Sequence, residues 1–147
     1  MRISQILSTK RLDVVSVPPT ATVRGAIALM KREHVGAVLV LDGDRRLLGV
    51  LAERDIVHSL DSAIADPFER SVLEVMRRDS PVAGPPDTVQ SVMQTMTKTR
   101  ARHVPVVERG RVIGIVSIGD IVKSRLDEKI QENTVLQDLA RARMIAK

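Results

Sequence analysis

The chain has 147 residues, of which 44% are apolar and 28% charged, and its formal net charge is +5. This composition predicts one compact domain or two small ones, and it excludes wholesale disorder. The sequence has one phenylalanine and no tyrosine, tryptophan or cysteine. These counts exclude base stacking on aromatic platforms, disulfides, thiolate metal sites and cysteine nucleophiles.

The N-terminal segment lacks the apolar core of a signal peptide, and no apolar run approaches the roughly 20 residues that cross a bilayer. We therefore expect a cytoplasmic protein without a membrane partner. Lysine and arginine are interleaved with aspartate and glutamate along the chain. The positive charge therefore indicates a mixed, solvated surface first, phosphate-bearing small ligands second and nucleic acid last.

The two halves of the chain repeat one another. At an offset of 66 residues Val38 aligns with Val104, and after a turn that is one residue longer in the first half, Asp55 aligns with Asp120. Matches in one order with a single turn insertion indicate an internal duplication. Both halves are therefore expected to share one order of secondary structure.

The first repeat predicts four elements in chain order. A short strand over 14–17 precedes a helix that Thr22 caps, and two apolar strands over 36–41 and 47–52 form a hairpin. A second helix begins near Glu53.

The second repeat predicts the same order. A strand over 82–83 precedes a helix capped by Thr88, a hairpin joins 102–107 to 111–117, and a second helix begins near Ile118. The fold class is therefore α/β (α+β), with two tandem β-α-β-β-α repeats packed by a quasi-twofold axis and followed by a C-terminal helix.

The flanking segments complete the predicted organisation. Ser71 opens a capping-box sequence and a short helix over 72–76, and a helix is also expected in the matching N-terminal segment 3–7. The tail 123–147 contains no proline or glycine, which predicts one long or broken helix. The predicted units are the first repeat with its N-terminal helix (1–62), the linker helix with the second repeat (63–125) and the helical tail (126–147). A polar linker over 61–67 crosses the first boundary.

Both repeats end in one recognisable pattern. The second repeat reads Gly114-Ile-Val-Ser117-Ile-Gly-Asp120 after a Val-Pro-Val-Val strand, and the first reads Gly49-Val-Leu-Ala-Glu-Arg-Asp55. This pattern resembles cystathionine-β-synthase (CBS) domains, and the tandem pair resembles the Bateman module of small standalone bacterial proteins. The resemblance covers roughly residues 1–125.

The resemblance implies a regulatory module that binds an adenosine-containing ligand (AMP, ADP, ATP, NAD(H) or S-adenosylmethionine) in clefts between the repeats. The vicinal hydroxyls of a ribose can both donate to one carboxylate, which makes Asp55 and Asp120 the candidate ribose ligands. The alternative role for both carboxylates is to complement the charge of a helix N-terminus. Ser117 and Gly119 are also candidate nucleotide-binding residues, and the Ser117 hydroxyl either donates to the ligand or caps the helix.

Other candidate residues follow from the chemistry of a nucleotide. Phosphates need cations, and the resemblance points to Arg102 and His103 for the ligand at Asp55 and to Arg54 for the ligand at Asp120. Adenine has apolar faces that aliphatic side chains can enclose. The candidate wall residues are Val15, Val17, Ala37, Val82 and Val104.

The two clefts are not expected to be equal. Ala52 stands where the pattern usually has a hydroxyl, and Gly36 and Ala37 stand where the second repeat has Arg102 and His103. The clefts are therefore expected to differ in ligand preference.

Three function classes remain open from the residues. A ligand sensor without chemistry of its own is favoured over an enzyme, because no nucleophile–base motif, metal-binding motif or phosphate-binding glycine loop is present. No catalytic cofactor or metal is expected. A structural adaptor and a basic nucleic-acid-binding protein are the alternatives. The expected partners are the small molecule, a second copy in a homodimer and an unidentified downstream protein.

Overall fold

The structure is a computed structural model that describes residues 1–10, 14–61 and 65–145. Its elements follow the predicted order. They are α1 (Ile3–Thr9), β1 (Ser16–Val17), α2 (Val23–Glu33), β2 (Ala37–Leu41), β3 (Leu47–Ala52), α3 (Glu53–Ser59), a 3-10 turn (Pro67–Glu69), α4 (Val72–Val75), α5 (Val89–Thr99), β4 (His103–Glu108), β5 (Arg111–Ser117) and α6 (Ile118–Ile145).

Each repeat contains a small sheet. In the first repeat β2 pairs in parallel with β1 and antiparallel with β3, and in the second repeat β4 and β5 form the antiparallel hairpin. The strand predicted at 82–83 is reduced to one parallel bridge, from Ala83 to Val106. Pro81 and Pro85 flank this bridge, and because proline lacks an N–H it cannot extend the ladder.

Both predicted threonine caps are confirmed. The Thr22 hydroxyl accepts a hydrogen bond from the Gly25 amide at 3.1 Å, and the Thr88 hydroxyl accepts one from the Ser91 amide at the same distance. Each cap satisfies one of the free N–H groups that begin a helix, which contributes about 1 kcal/mol. The two repeats therefore begin their first helices in the same way.

The linker between the repeats differs in detail from the prediction. Residues 62–64 lie outside the described residues. The Ser71 hydroxyl caps α4 by accepting from the Leu73 amide at 3.2 Å. The Glu74 carboxylate accepts from the Arg70 guanidinium at 3.0 Å, so the cap forms while the glutamate serves a surface ion pair.

Helices α1 and α4 are exchanged between the repeats. The amide of Ile3 donates to the Asp87 carbonyl at 2.8 Å, and the amide of Val72 donates to the Ala21 carbonyl at 3.0 Å. Ile3 and Leu7 are buried in the core of the second repeat, whereas Val72 is buried in the core of the first. Each repeat therefore completes its core with a helix that the other half of the sequence supplies.

The strands of both sheets are buried on two faces. One face packs on the helices of its own repeat, through residues such as Val38 and Val104. The other face meets the other repeat in a shared apolar cluster, here called the inter-repeat core, whose buried members are Ala37, Leu39, Leu41, Val50 and Val112. Full burial of a side chain such as Leu39 contributes roughly 1.5–3 kcal/mol.

The C-terminal tail is one continuous helix. Asn133 and Thr134 do not interrupt it, and the Thr134 hydroxyl donates to the Ile130 carbonyl at 2.9 Å within the helix. Beyond Ser124 its side chains are mostly exposed, with Leu136 63% exposed. Across residues 1–10, 14–61 and 65–145, no helix combines the length and the apolar content that a membrane span requires.

Two equivalent glycines allow the exchanged helices to approach the sheets, and they give a matched test of the exchange. A Cβ atom at Gly49 would lie 2.5 Å from the Met76 sulfur and 2.9 Å from the backbone oxygen of Arg77, whereas a Cβ at Gly114 would meet only the Leu7 side chain, at 2.8 Å. A leucine side chain can rotate away, but the backbone oxygen cannot move without breaking the bridge between Val50 and Arg77.

We predict that Gly49→Ala destabilises the fold by about 1–3 kcal/mol and Gly114→Ala by clearly less. Chemical denaturation of the two variants measures this difference. Equal losses of stability would contradict the tighter packing assigned to α4.

Candidate functional site

A cavity of about 130 Å³ lies between the repeats at the start of α3. It is called the Asp55 cavity here. Four segments form its walls: the residue that precedes β2, the junction of β3 and α3, the stretch that precedes β4, and the chain that links the repeats. Its described lining residues are Gly36, Val50, Ala52, Glu53, Arg54, Asp55, Arg77, Ser80, Arg100, Ala101, Arg102 and His103.

The Asp55 carboxylate is half-buried in this cavity. Its Oδ2 atom accepts a hydrogen bond from the Ala52 amide at 2.8 Å, while Oδ1 has no hydrogen-bond partner among the described residues. Burial raises the pKa of Asp55 above its ordinary value, and the Ala52 amide, Arg77 and Arg54 offset this only in part. The cavity therefore presents a carboxylate oxygen that is free to accept from a ligand.

Arginine side chains dominate the opposite wall. Arg54 donates from Nη1 to the Arg100 carbonyl at 3.1 Å, which joins the first turn of α3 to the end of α5. Arg100 adopts a left-handed conformation with a φ of 57° and ends that helix. Arg102 follows two residues later and is exposed. Such guanidinium groups are well suited to bind phosphate oxygens.

His103 is a partly buried side chain of the cavity wall. It lies at the start of β4 opposite Gly36, where an added Cβ would be 3.7 Å from its Cε1 atom and 3.9 Å from the Glu53 carboxyl. Burial lowers the pKa of His103, although the nearby carboxylates of Glu53 and Asp120 favour its charged form. Both distances are those of ordinary van der Waals contact, so Gly36 lies against the side chains of His103 and Glu53.

Asp120 lies at the position equivalent to Asp55, but it faces a different environment. Its Oδ2 atom accepts from the Lys10 ammonium at 2.7 Å and from the Ser117 amide at 2.8 Å, and Lys10 also donates to the Ile115 carbonyl at 2.8 Å. Burial alone would raise the pKa of Asp120, but these hydrogen bonds and the Lys10 charge outweigh it and lower the pKa. The carboxylate is therefore already paired inside the chain.

A second cavity of about 180 Å³ contains Asp120. The helices α1 and α6 form it, and its described lining residues are Met1, Gln5, Ile6, Thr9, Lys10, Asp120, Lys123, Ser124 and Asp127. Ser117 accepts from the Asp120 amide at 3.2 Å through its hydroxyl, which is the capping role. Gly119 is exposed in the first turn of α6 and is not among the described lining residues.

Four of the predicted site residues line one cavity. Asp55, Arg54, Arg102 and His103 are all in the wall of the Asp55 cavity. The expectation that Arg54 serves a ligand held by Asp120 stays a prediction, but Arg54 is not among the described residues that line the cavity containing Asp120. Arg54 reaches from α3 to the end of α5, where it donates to the Arg100 carbonyl, and it lines the cavity that contains Asp55.

The predicted aliphatic walls are not observed. None of Val15, Val17, Ala37, Val82 and Val104 is among the described residues that line either cavity. Val17 and Val104 are buried in the cores of the two repeats, Ala37 lies in the inter-repeat core, Val15 packs against the first repeat and Val82 is 52% exposed. Side chains alternate along a strand, so a choice that is wrong by one residue places a side chain on the opposite face.

Sequence reasoning missed the linker and the end of α5. The Asp55 cavity is also lined by Arg77, Ser80 and Arg100, and Lys10 forms an ion pair with the carboxylate of Asp120. The internal duplication could have pointed to two of them, because Lys10 and Arg77 precede the first strand of the two repeats at nearly equivalent positions. Within the part of the chain that the structure describes, no three histidine, aspartate or glutamate side chains are grouped as metal ligands would be.

Comparisons with known proteins give the family. The CBS domain model matches residues 3–62 and 72–127. The chain belongs to the CBS domain family. A CBS-domain-containing protein from Agrobacterium tumefaciens has a crystal structure that is 37% identical, with a TM-score of 0.80, over 85% of this chain and 99% of that one.

Two further CBS proteins extend the comparison. A CBS domain-containing protein of Bacillus subtilis is 29% identical over 126 residues, which cover 86% of this chain and 89% of the relative. A CBS domain protein from Pyrobaculum aerophilum, whose structure was determined in complex with AMP, is 28% identical with a TM-score of 0.72, over 82% of this chain and 89% of that one.

The contrast between the two equivalent carboxylates of this CBS pair gives a testable difference in stability. The raised pKa of Asp55 means that its charge destabilises the folded state at neutral pH, so we predict that Asp55→Asn raises the melting temperature slightly. The lowered pKa of Asp120 means that its charge stabilises the fold. Asp120→Asn is therefore expected to lower the free energy of unfolding by about 0.5–1 kcal/mol, and the melting temperature with it.

Melting curves between neutral and acidic pH measure both effects. The contribution of Asp120 is fully present above its ordinary pKa of 3.8 and is lost as the pH falls through its lowered value. The deficit of Asp120→Asn should therefore disappear in acid. A shift in the same direction for both variants would contradict the assigned environments.

Proposed function

We propose that this CBS pair is a regulatory module that binds an adenosine-containing ligand, one of AMP, ADP, ATP or NAD(H), and thereby senses energy or redox state. The observation that carries the proposal is the Asp55 cavity, where a half-buried carboxylate faces arginines between the two repeats. The related Pyrobaculum protein in complex with AMP supports this class of ligand.

The carboxylate suits a ribose. Two vicinal hydroxyls can donate to the oxygens of Asp55, of which Oδ1 has no hydrogen-bond partner among the described residues. Hydrogen bonds to a charged acceptor contribute about 1.5–3 kcal/mol each. Ligand hydroxyls would also replace the solvation that burial removes, so the ionised form of Asp55 would be favoured in the complex.

The module is proposed to bind and not to catalyse. The ligand would contact α3 of the first repeat, the segment before β4 of the second repeat and the linker that carries Arg77. Binding therefore changes the free energy with which the repeats hold together, and this linkage is the basis for a signal to a downstream protein.

We predict that an adenine nucleotide raises the melting temperature of the protein and that Asp55→Ala removes this effect. At a concentration of 100 times Kd the stabilisation is about 2.7 kcal/mol, or roughly 5–10 °C for a chain of this size. Differential scanning fluorimetry with AMP, ADP, ATP and NAD(H) measures it.

Asp120→Ala serves as the matched control at the equivalent position, because Lys10 already occupies that carboxylate. It is expected to keep the ligand-induced shift. A shift that survives Asp55→Ala and is lost in Asp120→Ala would place the ligand in the other cleft. No shift with any of the four nucleotides would refute the proposal.

We also propose that the module pairs with a second copy through the outer faces of α3 and α6. Val57, Leu60, Ile118 and Val122 are exposed there by 63%, 46%, 49% and 52%. Arg54 in the first turn of α3 and Ile118 at the start of α6 line one surface hollow, so the two helices begin close together. Apolar faces of this kind are typical of protein interfaces.

The prediction is that the protein sediments with about twice its monomer mass of 16.2 kDa. The double variant Val57→Asp/Val122→Asp is expected to sediment as a monomer, because each change would bury a charge in the interface. A control with Leu139→Asp changes a tail residue that is equally exposed, at 59%. A monomeric wild-type protein would refute the proposed pairing.

A further inference from the structure

Helix α6 continues well beyond the body of the protein. Its last buried side chain among the described residues is Ser124, whereas the helix ends at Ile145. About 20 residues, or roughly 30 Å of helix at 1.5 Å per residue, therefore extend past the last buried position. A helix in a protein draws most of its stability from an apolar face that packs on a partner, so this segment lacks part of its support in a single copy of the chain.

The exposed apolar side chains of this segment form a stripe that is symmetrical about Asn133. On each side of Asn133 an apolar residue recurs at distances of three, seven and eleven residues. These steps of three, four and four average about 3.7 residues, which is close to one turn of an α-helix and keeps the stripe on one face. The stripe consists of Val122, Leu126, Ile130, Leu136, Ala140 and Met144, and its five larger side chains are 52% to 79% exposed.

This symmetry makes the stripe complementary to a second copy of itself that runs in the opposite direction. A two-fold axis at Asn133 would place each apolar residue before it opposite an apolar residue that follows it in the other copy. The opposed pairs would be Ile130 with Leu136, Leu126 with Ala140 and Val122 with Met144. Asn133 would meet the same residue of the other copy, and two asparagine amides can exchange hydrogen bonds. A polar residue at one position of a helical interface also fixes the register.

Lys129 distinguishes this antiparallel arrangement from a parallel one. Lys129 lies four residues before Asn133 and Gln137 lies four residues after it, so both are on the face of the stripe. A parallel pair would place Lys129 opposite the same lysine of the other copy, and like charges repel. An antiparallel pair places Lys129 opposite Gln137, so that polar side chains meet polar ones throughout.

The area of the stripe indicates how much the tail can contribute to pairing. A strip about 33 Å long and roughly 10 Å wide covers about 330 Å², which is less than half of the roughly 800 Å² that each partner buries in a standard interface. The stripe begins at Val122, which belongs to the pairing face proposed above on α3 and the start of α6. The two surfaces are therefore continuous, and the tail adds to that face.

We propose that the tails of two copies pair antiparallel along this stripe, with Asn133 on the two-fold axis. The inference rests on the proposed pairing of two copies and specifies its geometry. Met144 of one copy then lies beside Val122 of the other, so the pairing face on the body receives the end of the partner's tail.

Sedimentation of two matched double variants tests the stripe. Ile130→Asp/Leu136→Asp introduces charges at two positions that oppose each other across the axis, and it should weaken the dimer at least about tenfold. The control Val135→Asp/Leu139→Asp changes two tail residues that are nearly as exposed, at 56% and 59%, but lie outside the stripe. It should leave the dimer affinity unchanged. Circular dichroism establishes that the two variants have the same helix content.

Cysteine cross-linking tests the orientation, and the chain has no cysteine of its own. In the antiparallel pair, residue 126 of one copy lies beside residue 140 of the other. Two copies of residue 126 are then about 21 Å apart along the helix axis, far beyond the Cα separation of about 7 Å that a disulfide can bridge. An equimolar mixture of the Leu126→Cys and Ala140→Cys variants should therefore give a linked dimer under mild oxidation, whereas neither variant alone should.

The outcomes separate this inference from the pairing on which it rests. Linked dimers from Leu126→Cys alone, or no link in the mixture while the protein sediments as a dimer, would overturn the antiparallel arrangement. A dimer that Ile130→Asp/Leu136→Asp does not weaken, or that both double variants weaken equally, would overturn the stripe and leave the pairing through α3 standing. A monomeric wild-type protein would refute the pairing itself.

Discussion

The inter-repeat core is the contact on which the rest of the structure depends. Each sheet buries one face against its own helices and the opposite face against the other repeat, so alternate residues of one strand serve different contacts. Leu39 and Val112 meet in this core from the two repeats, and both are essentially inaccessible to water. The Asp55 cavity lies at the edge of this contact and has its shape only while the repeats are held together.

The exchange of α1 and α4 strengthens the same constraint. Each repeat lacks part of its own core until the other half of the chain supplies a helix, as the burial of Ile3 and Val72 demonstrates. Unfolding of one repeat therefore exposes apolar surface of the other, which makes the two halves cooperative. A ligand between the repeats acts on a unit that already responds as a whole.

The sequence was sufficient to predict the order of the secondary-structure elements and the equivalent positions of the two carboxylates. Thr22 and Thr88 each cap a helix by accepting from the amide three residues later, and a contact this local can be predicted from sequence. The equivalence of Asp55 with Asp120 follows from the duplication. The side on which a strand residue lies was harder to predict, because both faces of these strands are apolar and the alternation carries no polar signal. Val104 illustrates this, since the aliphatic character suited either face and only the packing places it towards α5.

Contacts between distant segments were beyond the reach of local reasoning. Lys10 pairs with Asp120 across 110 residues of sequence, and Arg100 reaches the cavity because its left-handed backbone turns the chain at the end of α5. Neither contact has a signature in its own neighbourhood.

Duplication followed by divergence explains why equivalent positions carry different electrostatics. In each repeat a carboxylate lies in the first turn of a helix and accepts a hydrogen bond from the amide three residues before it. That amide belongs to Ala52 in the first repeat and to Ser117 in the second. The difference arises from the surrounding cations: the Asp120 carboxylate pairs with Lys10, whereas the arginines that line the Asp55 cavity form no hydrogen bond to Asp55 among the described residues. An internal cation satisfies Asp120 without a ligand, whereas Asp55 shares its cavity with the guanidinium groups of Arg54 and Arg102 and is hydrogen-bonded to neither. A molecule that joins hydroxyls to phosphates complements both ends at once, and it is this separation of charge that makes the Asp55 side of the CBS pair the candidate binding site.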